Sequence, residues 1–94
     1  MNLQEVNVDS RGKVYSVTGE LGVPEVAMFT TRRGKARGGC IHQHNDEYTC
    51  VISGTVEYKI GGKLYELNRG DSIKIPKNTP HYFISMTDSI VIEW

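Results

Sequence analysis

The sequence has little of several features that would settle function at a glance. Its two cysteines, Cys40 and Cys50, lie outside any Cys-x-x-Cys pair. That is too few for the disulfide framework of a small secreted domain, so reduced thiols are expected. It has no net charge: eleven basic and eleven acidic residues cancel. No overall field would recruit nucleic acid or an anionic membrane, and neither is expected as a partner. No apolar run approaches the roughly 18 to 20 residues of a membrane span. The opening stretch from Met1 to Val6 lacks a basic region followed by an apolar core, so a cytoplasmic chain is expected. No window of about 11 residues or more keeps apolar spacings of three and four, which argues against any long helix. A phosphate-binding Gly-x4-Gly-Lys-Ser/Thr loop, a dinucleotide glycine pattern, a Gly-x-Ser-x-Gly elbow and a zinc-finger cysteine set are also missing. At 94 residues there is too little apolar surface for two cores, so residues 1–94 are read as one domain.

What is present is alternation. Apolar residues recur at every second position in Val6 and Val8, Tyr15 and Val17, Val56 with Tyr58 and Ile60, Ile73 and Ile75, and Ile90 and Ile92. That period belongs to strands. Turn-forming residues cut the chain at 9–12, 19–24, 34–39, 53–54, 61–62, 68–70, 76–80 and 87–88, which leaves room for about eight or nine strands. Ile60-Gly61-Gly62-Lys63 is the clearest hairpin, because two glycines accept the positive φ angles of a turn matched to strand twist. The class is all-β. So many short strands are best relieved of open edges by closing into a barrel or a two-sheet jelly roll.

The chemistry concentrates in Gly38 to Gly54, where His42 and His44 stand one residue apart and Glu47 follows. Residues two apart in an extended strand point to one face, so Cys40, His42 and His44 would project together. Two imidazoles leaning on one point supply adjacent coordination positions, and Glu47 adds a carboxylate just past a short turn. His81, far away in sequence but behind Pro76 and Pro80, can be brought opposite them by barrel closure. Neutral imidazole with one carboxylate suits zinc, iron, nickel, copper or manganese and leaves positions open for water and substrate.

These residues resemble the double motif of the cupins, Gly-x5-His-x-His-x3,4-Glu-x6-Gly followed by Gly-x5-Pro-x-Gly-x2-His-x3-Asn. Here the first motif lies at about 38–54 and contains His42-Gln43-His44-Asn45-Asp46-Glu47 with Gly54 at the required distance. The second lies at about 70–85 and contains Gly70, Pro76 and His81, and 15 residues separate Gly54 from Gly70. The chain departs from the pattern at four places. Ala36 and Asn78 stand where glycines are usual, and Ser85 stands where asparagine is. Only two residues separate His44 from Glu47, which makes Asp46 an alternative carboxylate. Asparagine is the residue that next most readily accepts positive φ, so the turn at Asn78 is expected to survive.

The resemblance implies a double-stranded β-helix, that is, a jelly-roll barrel, with one divalent transition metal (zinc, iron, manganese or nickel) on His42, His44, Glu47 and His81. It also implies a homodimer. Phe83 and Ser85, in step with His81, are expected to shape the pocket, and Cys40 shares the parity of the histidines. Cys50 has the opposite parity to Glu47 and should not pair with Cys40. Thr31 to Arg37 carries four cations, read either as a solvated loop or as a clamp for a carboxylate or phosphate, with Arg37 nearest the motif. The expected partner is therefore a small-molecule ligand. Three functions follow: a metal-dependent enzyme, such as an isomerase or dioxygenase, on a small polar metabolite such as a sugar or keto acid; a non-catalytic module that binds or senses a small ligand; and a metal-free cupin resembling nucleotide-sugar isomerases and epimerases.

Overall fold

The alternating segments do form strands. The computed structural model describes residues 3–18, 26–40 and 45–94, with positions 39 and 40 described by backbone alone. In chain order the strands are β1 (Gln4–Asp9), β2 (Gly12–Ser16), β3 (Ala27–Thr31), β4 (Ala36–Cys40), β5 (Glu47–Ser53), β6 (Val56–Ile60), β7 (Lys63–Leu67), β8 (Ser72–Ile75), β9 (His81–Ser85) and β10 (Ser89–Glu93). They pair antiparallel in two sheets, one ordered β1-β2-β3-β10-β5-β8 and the other β4-β9-β6-β7. No helix forms among the described residues.

The inner faces meet around Val51, Val56, Tyr58, Ile60, Leu67, Ile75, Phe83 and Val91. The Tyr58 and Phe83 rings lie 5.0 Å apart. Each such side chain contributes about 1.5–3 kcal/mol by leaving water. The hairpin at Gly61 and Gly62 joins β6 to β7 with Ile60 opposite Lys63, and both glycines take positive φ, 55° and 87°. Asn78 takes φ 62° in the turn before β9, where the motif usually has glycine.

Two features differ from the sequence reading. The glycine-rich stretch 34–39 is not all turn, because Ala36–Cys40 is a strand paired with β9. Gly38 serves contact between strands there: at φ 109°, a Cβ would lie 2.9 Å from the Tyr82 Cα. The ladder slips one residue between Gly38 and Cys40, a bulge in which only glycine fits. The second difference is the number of strands, ten among the described residues. The stretch 38–54 is divided between β4 and β5.

Candidate functional site

Glu47 opens β5 and His81 opens β9, so both side chains enter the barrel at the same end. The Glu47 Oε2 and His81 Nε2 atoms lie 3.2 Å apart, with only 14% and 5% of the two side chains exposed. The shortened spacing after His44 therefore does not keep Glu47 from the second motif. His81 Nδ1 is 3.0 Å from the Thr79 carbonyl oxygen. A carbonyl only accepts, so Nδ1 carries a hydrogen, and Nε2 is the ring atom that faces Glu47. An imidazole nitrogen and a carboxylate oxygen at this distance can share a proton or hold a metal. The donor set and the Nδ1 hydrogen bond both fit a metal. His42 and His44 lie outside the described residues, and among the described residues no group of three or more His, Cys, Asp or Glu is arranged to hold a metal ion.

A carboxyl group that sequence reasoning did not single out completes the cluster. Glu93, on β10 opposite Thr49, is pushed up to about 8, first by burial and then by its hydrogen bond and charge contact with Glu47. It is therefore protonated at neutral pH. The Tyr58 hydroxyl donates to Glu93 Oε1 at 2.8 Å, and the Thr49 hydroxyl lies 2.9 Å behind Tyr58. Burial, followed by the neighbouring Glu93, raises the Tyr58 phenol far above its ordinary value. Thr49, Tyr58, Glu93 and Glu47 thus form one hydrogen-bonded chain across the barrel. Glu93 shares the parity of Val91, which is fully buried, a phase that shows only once β10 is paired with β3 and β5.

These groups open on a cavity of about 550 Å³ whose lining includes Glu47, His81, Glu93, Tyr58, Phe83 and Arg37. Phe83 is a wall of both core and cavity. Ser85 lies outside the lining, at the far end of β9, with its hydroxyl 2.6 Å from that of Ser89. Cys40 ends β4 opposite His81, and its side chain lies outside the description. Asp46, the alternative carboxylate, accepts the Lys77 backbone N–H at 2.9 Å and sits 3.3 Å from Lys74 Nζ. That hydrogen bond, ahead of Lys74, lowers its pKa. It ties the first motif to the second. Cys50 is a free thiol.

Two packed antiparallel sheets with a polar cluster at one mouth define a small jelly-roll β-barrel. The family model for the cupin domain matches residues 29–94, and the chain belongs to the cupin family. No curated protein sequence matches it. Among solved structures it is similar to KdgF from Halomonas sp., at 22% identity and a TM-score of 0.83 over 96% of this chain and 82% of that one. It is also similar to an RmlC-like cupin from Shewanella frigidimarina, at 18% identity and a TM-score of 0.82 over 98% and 81%. A third is the capsular polysaccharide assembling protein CapF from Staphylococcus aureus, at 20% identity and a TM-score of 0.84; all of this chain matches only 28% of CapF. At these identities the likeness is one of fold.

Proposed function

We propose that the chain is a metal-dependent cupin that binds and acts on a small polar metabolite of sugar or keto-acid type. One observation carries this reading: Glu47 and His81, from two separate motifs, meet at 3.2 Å beside the cavity, with the imidazole Nδ1 held by the Thr79 carbonyl. His42, His44, Glu47 and His81 would hold one divalent metal, which supplies Lewis acidity toward a substrate oxygen. Tyr58 and Glu93 orient Glu47 through their hydrogen bonds, and Phe83 keeps water from that wall. The name of one similar structure, the capsular polysaccharide assembling protein CapF, agrees with a sugar-type substrate. Elemental analysis of protein purified without added metal or chelator tests it. About one equivalent per chain is expected, lost in His42→Ala/His44→Ala; no metal even after reconstitution would overturn the reading. A metal-free acid–base cupin is the second reading, favoured by the protonated Glu93 hydrogen-bonded to Glu47.

The same proposal includes pairing with a second copy through the outer face of the six-stranded sheet. Tyr15, Met28, Ile92 and Cys50 stand in register across four neighbouring strands there. An antiparallel sheet normally turns polar side chains to solvent on one face. Flanking charges on this face are already paired, Lys13 with Glu5 and Lys74 with Asp46. A second copy docked about a two-fold axis therefore meets apolar surface and no uncompensated like charge.

A further inference from the structure

The four cations before the first motif do not act as one group. Arg32, Arg33 and Lys35 occupy the turn between β3 and β4, at the end of β9 away from His81. There the Gly34 N–H donates to the Ser85 carbonyl at 2.7 Å and the Ser85 N–H to the Lys35 carbonyl at 3.0 Å. Arg37 alone turns inward and lines the cavity, with 5% of its surface exposed. Its Nε donates to Thr31 Oγ1 at 2.8 Å and its Nη2 to the Thr30 carbonyl at 3.0 Å. The guanidinium carbon sits 5.4 Å from the centre of the Phe29 ring. Nε–H and the Nη2–H parallel to it make up one edge of the fork, and both go to β3.

Those two bonds use two of the five N–H donors of a guanidinium. The outer edge, formed by Nη1 and the second Nη2 hydrogen, takes no protein partner among the described residues, and no carboxylate there lies within ion-pair distance. Arg11, which also lines the cavity, is already neutralised by Asp9. The outer edge of the guanidinium thus faces the cavity with no carboxylate in ion-pair contact among the described residues, which leaves it free to pair with an incoming anion.

We propose that Arg37 is the anion anchor of this cavity. The metabolite presents a single carboxylate to the outer edge of the guanidinium, with its reacting end toward Glu47 and His81. This rests on the function proposed above and narrows its substrate class to small carboxylic acids. A planar carboxylate matches the two parallel N–H groups, and its one negative charge matches the one guanidinium left without an ion-pair partner. A phosphate monoester brings about −1.5 to −2 and lacks a second cation. Arg37 stands opposite Phe83, two residues along β9 from His81, so the two backbone positions lie about 7 Å apart along the strand. A metabolite of hexose length is of the scale of that backbone separation.

Trp94, the single tryptophan, lines the cavity and reports occupancy by fluorescence. D-gluconate, D-glucitol and D-glucitol 6-phosphate, titrated into the protein as purified, compare a carboxylate, an uncharged chain and a phosphate. Gluconate should bind roughly ten- to a hundredfold more tightly than either of the others. Arg37→Gln should abolish that preference, and Arg32→Ala/Arg33→Ala/Lys35→Ala should keep it. Equal binding of gluconate and glucitol, or gluconate binding unchanged in folded Arg37→Gln, overturns the anchor and leaves the metal reading standing. A preference for the phosphate overturns the carboxylate assignment. Should Arg37→Gln not fold, the wild-type preference and its survival in the loop variant decide, since loss there places the anion elsewhere. No binding of any probe overturns both the anchor and the substrate class.

Discussion

Glu93 shows what a residue-scale reading of sequence can miss. His42, His44, Glu47 and His81 stood out because imidazoles at fixed spacing are rare and chemically loud. A single glutamate near the chain's end looks like an ordinary solvated carboxylate until the strand's phase is known. That phase was hidden, because Ile90 and Ile92 mark the alternation of β10 while Val91 and Glu93 are the residues that face inward. Its environment has a pH signature. The folded-state value of about 8 lies above the ordinary 4.5, so the folded chain holds a proton that the unfolded chain releases between those values. The stabilisation is complete below about 4.5 and disappears as pH rises through about 8. The melting temperature of chelator-treated protein should therefore fall across that window, and Glu93→Gln, which keeps the hydrogen bonds without the titration, should flatten the fall. An equally steep fall in the variant would remove Glu93 from the explanation.

At the scale of elements, hairpins were legible wherever a turn demands particular backbone angles. The β6–β7 hairpin is bounded as its two glycines require. Strand β4 was not legible, because Gly38 and Gly39 carry the composition of a turn. Their use becomes visible only when β9 is laid beside them. Gly38→Ala tests this: it sets a methyl group 2.9 Å from the Tyr82 Cα and 3.1 Å from the His81 carbonyl, at a φ that L residues resist. We expect a loss of roughly 1–3 kcal/mol in urea denaturation. Gly62→Ala, with φ 87° but nothing within 4 Å, should cost less, about 1 kcal/mol. Equal costs would mean that close strand contact is not what Gly38 provides.

At the scale of the whole molecule, the two motifs fixed the fold family, while the outer surface was hidden for the same reason as the phase of β10. Apolar residues stand on both faces of the six-stranded sheet, so alternation cannot say which side is the core. Val6 and Val8 alternate as a buried pair would, yet they are 58% and 54% exposed on the edge strand β1. Light scattering coupled to size exclusion should give twice the mass of one chain. Ile92→Lys, which places a charge in the middle of the apolar row, should give the mass of one chain with the fold intact. A wild-type protein that runs as a single chain at micromolar concentration would dispose of this interface.

The last two residues have a practical consequence. Glu93 and Trp94 both line the cavity, and the Trp94 backbone is bound to Tyr48 in both directions, at 3.0 and 2.9 Å. An affinity tag fused after Trp94 would begin at the rim of the site. An oligohistidine tag there would bring its own imidazoles within reach of the metal under assay and would perturb the one fluorophore. Metal counts and ligand titrations on this chain should therefore be made on protein cleaved of any carboxy-terminal tag.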